Sequence, residues 1–344
     1  MDLDVNNNDS VARPADMMKI IIILLLLAIT LSAALAAGST CRGITLSGAG
    51  AFGAFEAGVI WGLLDKRATS DVEWQFATGV SAGSLNAAIM SMFSVGDESA
   101  ASQYLNNLWL GITQEQVFVE WPGGVVDGLL LQKGIFNDAP LNKYLHAHVN
   151  QTMINQSTRG LQFGATNIDT GNFDLFNKSA SDIALALQAS CSIPGIWPPT
   201  VIDDVVYQDG GVTYMTPVTD TARLCYDTGA TEVILDVIMI GYMEDDVNMA
   251  DAKTIDLLMR TLHIIKTNWY YKDIFTTFQA FPDVVINVYY PTGPFPGNVL
   301  SFSYSAPLLK IGYDTAMNES TTFGLTKNNF ESALNKAFPF GLNL

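Results

Sequence analysis

Short apolar runs bounded by glycine alternate with stretches of helical periodicity along most of the chain. Gly43 to Ser47 (GITLS) reads as a buried strand and Gly48 to Gly53 as a glycine-rich turn. Ala54 to Arg67 reads as a helix with Phe55, Val59, Leu63 and Leu64 on its apolar side. Trp74 to Thr78 is a second short strand, followed by Gly79-Val80-Ser81-Ala82-Gly83 and a small-residue helix from Ser84 to about Phe93. Gly160 to Ile168 and Thr231 to Ile240 are further strands. The latter is nearly all apolar, as a central parallel strand buried on both faces should be. Asp251 to Phe275 reads as a long amphipathic helix with Ile255, Leu258, Leu262, Ile265 and Trp269 on one face. Pro282 to Pro307, rich in Pro, Gly and aromatics, reads as strand and loop. Strands alternating with helices predict an α/β fold, a mainly parallel central sheet in a three-layer α/β/α arrangement. No internal repeat or linker interrupts it, so residues 38–344 read as a single domain.

Ahead of that body, residues 1–19 form an acidic flank (Asp2, Asp4, Asp9, Asp16), and residues 20–37 are one uncharged run, IIIILLLLAITLSAALAA. Its length lies between a signal-peptide core and a bilayer span. Ala34-Leu35-Ala36 matches the small-residue pattern of a signal cleavage site. A cleaved signal peptide and an uncleaved transmembrane anchor therefore both stand. Four glycosylation sequons begin at Asn150, Asn155, Asn177 and Asn318. Together these features predict a secreted or lumenal glycoprotein, or a membrane-anchored one.

Charge narrows the partners. The 17 Lys+Arg against 34 Asp+Glu leave −17 at pH 7. That excludes nucleic acid, whose phosphates need clustered cations, and electrostatic docking on anionic lipid. Any membrane contact must be apolar. Three cysteines (Cys41, Cys191, Cys225) are too few for a disulfide scaffold or a Cys-only zinc site. Cys191, in an apolar turn, reads as a buried free thiol, and pairing of Cys41 with Cys225 stays open.

The candidate chemistry lies in two glycine motifs. Gly79-Val80-Ser81-Ala82-Gly83 fits G-x-S-x-G, in which a serine sits on a tight strand-to-helix turn. Gly79 and Gly83 flank it because larger side chains would collide there. The helix N-terminus favours negative charge developing at that serine. The competing reading is a serine that only caps a helix. Gly48-Ala49-Gly50-Ala51-Phe52-Gly53 fits G-x-G-x-x-G, a dinucleotide fingerprint, but also a loop presenting backbone N–H groups to an oxyanion. The nucleotide reading lacks its acid, since Asp71 and Glu73 precede the second strand instead of ending it.

A serine nucleophile needs a base. His263 shares a helix face with Asp256, Arg260 and Thr267 and reads as a solvated surface residue. His146 and His148, two apart on a helix, cannot share a face. Asp209, heading Asp209-Gly210-Gly211 after the short strand Val205 to Tyr207, is the remaining candidate. Alone it is equally a turn aspartate.

LSGAGAFGAFEAGVI, GVSAGSLNA, GIFNDAPL, ATNIDTG, QASCSIPGIWPP and YQDGGV, in this order between about Gly43 and Gly241, resemble the patatin-like phospholipase family. The resemblance implies a Ser–Asp dyad with Ser81 as nucleophile and Asp209 as proton acceptor. It implies an oxyanion hole from the backbone of Gly48, Ala49 and Gly50, no metal or other cofactor, and hydrolysis of glycerolipid or phospholipid esters at a membrane or lipid surface through an acyl-serine. Two positions depart from the family loop, Gly-Gly-Gly-x-Arg/Lys-Gly: Ala49 stands at its second glycine and Phe52 at its basic residue. The alternative is a catalytically weak patatin-like protein that binds or stores lipid. Phe52 reads equally as core packing, and Trp197 as core or pocket wall.

Overall fold

The computed structural model describes residues 39–241, 249–252, 254–318, 323–330 and 332, and the compact unit Thr40–Leu344 is considered by itself. The acidic flank and the apolar run 20–37 lie outside the described residues. Among the described residues no helix is long and apolar enough to cross a membrane.

A nine-stranded sheet runs in the order β11-β10-β9-β1-β2-β5-β8-β7, with β6 added on β5. Its strands are β1 (Thr40–Leu46), β2 (Phe76–Val80), β5 (Gly160–Asn167), β6 (Phe173–Asn177), β7 (Thr200–Ile202), β8 (Val205–Asp209), β9 (Glu232–Ile238), β10 (Val285–Tyr289) and β11 (Phe323–Leu325). Pairing is parallel from β10 through β9, β1 and β2 to β5, and antiparallel for β6, β7, β8 and β11. A separate antiparallel pair joins β3 (Val119–Glu120) to β4 (Phe136–Asn137). The longer helices named below are α1 (Gly53–Lys66), α2 (Ala82–Ser91), α3 (Glu98–Gly111), α4 (Gly124–Leu130), α5 (Ala139–His148), α6 (Ile183–Cys191), α7 (Val218–Asp227), α8 (Thr254–Ala280) and α9 (Ser305–Met317).

The central strands explain the sandwich. On β1, Ile44 and Leu46 enter one apolar cluster with Phe55, Ile89 and Trp109. The alternate Thr45 meets Thr221 of α7, hydroxyl to hydroxyl at 2.6 Å. On β9, Val233, Leu235 and Val237 feed a second cluster with Ile274 and Phe278 of α8. This is the two-sided burial expected of a mostly parallel sheet flanked by helices. Cys41 and Cys225 are disulfide-bonded, tying the start of β1 to α7, while Cys191 is free and buried.

Two expectations are corrected. In the long helix, Ile265 is 47% exposed while Tyr270, Ile274 and Phe278 face the core. Ile255, Leu258 and Leu262 belong to the residues whose side chains are not described. The helix is apolar on several sides, so periodicity alone does not choose its buried face. Second, the region read as strand and loop ends in α9, which lies against α1. A side chain on Gly58 would strike the Leu309 backbone, and one on Gly312 the Phe55 carbonyl. Backbone packs on backbone, so no apolar stripe announces the contact.

Candidate active site

β2 ends in a turn that forces Ser81 into the left-handed half of backbone space (φ +54°, ψ −128°). Strain of this kind in a non-glycine residue costs about 1–3 kcal/mol and persists only where the surroundings impose it. A side chain at Gly79 would enter the Gly83 backbone, and one at Gly83 would press on the Leu46 and Ser47 carbonyls. The flanking glycines are therefore steric requirements of the turn. Ser81 is 4% exposed and lines a narrow apolar cavity with Gly50, Ala82, Trp109, Ile112, Val117, Leu141, Cys191, Trp197 and Phe302.

β8 carries Asp209 to the same end of the sheet, its register opposite Ala165 of β5. Its Oδ1 accepts the Gly211 N–H at 2.8 Å. Burial pushes its pKa up to about 6, while hydrogen bonding from the Ser81 hydroxyl and the Gly211 N–H, and the charge of Lys266, pull the other way. Lys266 of α8 is itself brought down to about 8 by burial, against the attraction of Asp209 and Glu56. A cation thus reaches this region from α8, far along the chain from Phe52. Phe52 instead packs on Phe295, ring centroids 4.7 Å apart, which bears out its reading as core packing.

Two serines between the motifs hold nucleophile and acid in one frame. The Ser81 N–H donates to Ser190 Oγ at 2.9 Å, and Ser190 Oγ–H donates to the Gly164 carbonyl at 2.7 Å. The Asp209 N–H donates to the Ser192 carbonyl at 2.8 Å. Ser190 and Ser192 lie within the QASCSIPGIWPP motif, but the motif alone gave them no role. Only the approach of α6 to β5 and β8 gives them this task.

The glycine loop is pinned from below. Glu56, fully buried, accepts the Ser47 N–H and an Asn86 Nδ2–H, each at 2.8 Å. Asn86 also donates to the Gly53 carbonyl at 3.0 Å and accepts the Trp109 indole N–H at 2.8 Å. Burial raises the Glu56 pKa well above the usual carboxyl range, opposed by its bonds from Asn86 and Ser47. From above, Ala51 N–H donates to the Val299 carbonyl at 2.7 Å. Gly50 has φ +56°, and a side chain there would enter that same carbonyl.

Of the three expected oxyanion donors, Gly48 N–H is spent on the Met215 carbonyl at 3.1 Å. Among the described residues, the N–H groups of Ala49 and Gly50 have no partner, and neither does that of Ala82, which follows Ser81. Gly50 and Ala82 both border the cavity.

Two of the three histidines lie elsewhere. His146 bonds to Asn142 and Asp182 on the surface. His148 stacks on Tyr144 with its pKa lowered by burial. The side chain of His263 is not among those described. Trp197, 3% exposed, is pocket wall as expected, and the Cys191 thiol is pushed up by burial and by Asp209.

Comparison with known proteins agrees with the motif order. The family described as patatin-like phospholipase matches residues 44–222, just over half of the chain. No curated protein matches. A solved structure, VipD from Legionella pneumophila, is similar at 13% identity with a TM-score of 0.37, over 82% of this chain and 68% of that one. The family match, together with glycine loop, serine turn and Asp-Gly-Gly turn at one end of a mostly parallel sheet, means that this chain belongs to the patatin-like phospholipase family, a family of lipid acyl hydrolases.

Proposed function

We propose that the protein is a serine lipid acyl hydrolase that cleaves glycerolipid esters, with Ser81 as nucleophile and Asp209 as its base. The observation that carries this reading is the strained, cavity-lining Ser81 at the same end of the sheet as a buried carboxyl, Asp209, whose pKa burial raises to about 6. At neutral pH that carboxylate is ionised, yet basic enough to take a proton as the new bond forms. Ser81 Oγ attacks the ester carbonyl carbon and its proton passes to Asp209. Negative charge collects on the carbonyl oxygen, where the N–H groups of Ala49, Gly50 and Ala82 would receive it. Collapse expels the alcohol, which takes the proton from Asp209, and leaves an acyl-serine. Water then attacks that ester with Asp209 again as base, restoring Ser81 and releasing the fatty acid.

The substrate class follows from the walls. Trp109, Ile112, Val117, Leu141, Trp197 and Phe302 offer an apolar lining suited to an acyl chain. The free space is about 30 Å³, room for a water, so an acyl chain is admitted only when the walls part. The reading also places the protein in the secretory pathway. The Cys41–Cys225 bridge suits an oxidising compartment, and all four sequon asparagines are exposed.

Fluorophosphonate labelling tests the catalytic reading. Wild type should label, while Ser81→Ala and Asp209→Asn should lose labelling and about a thousandfold or more in ester turnover. Folded wild type that stays unlabelled would turn the reading toward a lipid binder without catalysis.

A further inference from the structure

Exposed large apolar side chains concentrate in one place. Val119, Val125, Val126, Leu129, Leu130 and Leu131 are between 39% and 78% exposed, all within the β3–α4–β4 hairpin. Helix α4 inverts the usual pattern. It turns Gly128 inward, where a side chain would strike the Ile135 carbonyl, and points its valines and leucines outward.

The hairpin is fastened to the cavity wall. Ile135 N–H donates to the Gly195 carbonyl at 3.0 Å and Phe136 N–H to the Ile196 carbonyl at 2.9 Å, just before the cavity-lining Trp197. The Phe118 ring, next to the cavity-lining Val117, packs on Phe136 at 4.8 Å and on Trp197 at 6.1 Å. Half-buried Trp121 donates its indole N–H to the Gly134 carbonyl at 3.0 Å. The exposed apolar face is thus continuous with the wall of the candidate acyl site.

We propose that this face, centred on Leu129, Leu130 and Leu131, docks the protein onto a neutral or zwitterionic lipid surface, bringing ester substrate to the cavity. The inference rests on the lipid-hydrolase reading above. Charge selects the occupant. The hairpin, positions 119–137, carries two acids, Glu120 and Asp127, and one base, Lys133, while the whole chain carries −17. Anionic lipid recruits polybasic segments, and such a chain would be repelled from it. Apolar insertion into an uncharged surface needs no basic residues.

The full chain with Leu130→Cys, carrying an environment-sensitive fluorophore, tests this. Cys191 is buried and Cys41 is bridged to Cys225, so the new thiol is the accessible one. Asp283→Cys, exposed just before β10 and so at the opposite end of the parallel strands, is the control. Phosphatidylcholine vesicles should shift emission to the blue at position 130 and leave position 283 unchanged. The double variant Leu130→Asp/Leu131→Asp should lose about a hundredfold in rate on vesicles, at roughly one decade per large side chain kept from lipid. A short monomeric ester should be cleaved within about twofold of wild type, because neither residue lines the cavity.

Vesicle binding without a shift at position 130 overturns the proposal. So does an equal loss on both substrates, which would assign the residues to turnover instead of docking. A lipid-free shift that grows with protein concentration would assign the face to a second copy of the chain. A lipid-free, concentration-independent burial of position 130 would assign it to a segment of the same chain, such as the run 20–37. If Ser81 proves unreactive, the catalytic reading falls, while the fluorescence comparison still decides the docking face.

Discussion

The floor and the roof of the cavity are built on opposite principles. The floor is backbone held by buried hydrogen bonds: the Ser81 turn, the Gly48–Gly53 loop and Asp209, cross-tied by Ser190, Ser192, Glu56 and Asn86. The roof presents side chains to the cavity: aromatic and aliphatic residues of the 117–136 and 295–302 segments, joined by ring contacts and tied at a few backbone points such as Ile135 and Phe136 N–H to the Gly195 and Ile196 carbonyls. Preorganised donors stabilise charge only where they cannot relax, so the proposed chemistry calls for a rigid floor. On the proposed function, the roof would have to open to admit an acyl chain. Changes in the floor should therefore act on every ester, and changes in the roof on particular substrates or surfaces.

The sharpest way to break this contrast lies at Gly50. Gly50→Ala puts a side chain into the Val299 carbonyl and into left-handed backbone. It should lower kcat about a hundredfold with little change in KM, on monomeric and vesicular esters alike. Steady-state kinetics on both substrates decides; a loss confined to vesicles would place Gly50 with the roof.

Glu56→Ala removes the acceptor shared by Ser47 N–H and Asn86 and leaves both donors buried. A fall of about 2–4 kcal/mol in unfolding free energy is expected from denaturant titration. Unchanged stability would mean that the loop is held from above, by Val299, and not from below.

pH tests the floor's electrostatics. If Asp209 is the base it acts only when ionised, so kcat/KM should be level well above pH 6, half-maximal near it and fall tenfold per unit further below. Lys266→Met withdraws a cation that favours the carboxylate. The acid limb should then move up by roughly half a unit to one unit. For stability the sign is opposite to that of a salt-bridged acid. A carboxyl raised from 3.8 to about 6 in the folded state contributes stability below pH 3.8, and that contribution is lost as pH rises through about 6. Asp209→Asn should accordingly abolish labelling at pH 7 without lowering Tm, as read by thermal unfolding.

The smallest effect is expected on the seam between the two regions. Phe52→Leu loses the ring pair with Phe295, worth about 0.5–1.5 kcal/mol in unfolding free energy, and should leave kcat within about threefold. A larger kinetic loss would show that Phe52 helps place the oxyanion loop.

Much of the floor was legible along the chain because its constraints are local. The Ser81 turn needs small residues two positions to either side, and Asp209-Gly210-Gly211 needs no remote partner to be recognised as a strand-end turn. β1, β2, β5 and β9 were legible from short, largely apolar runs, with boundaries shifted by at most three residues. α9 was not, because it contacts α1 through glycine and backbone, nor was the buried face of α8, because that helix is apolar on more than one side.

What the order of residues settled, then, is the α/β alternation, the family and the residues proposed for the chemistry, since strand periodicity and steric turns act over a few neighbours. Several matters depended on folding: the Cys41–Cys225 pairing, the commitment of Gly48 N–H to Met215, the arrival of Lys266 near Asp209, and the tie of Ser190 to Ser81. Each joins residues from 57 to 184 positions apart, so no local pattern encodes it. Such contacts exist only once burial has brought the elements together and every enclosed polar group must find a partner.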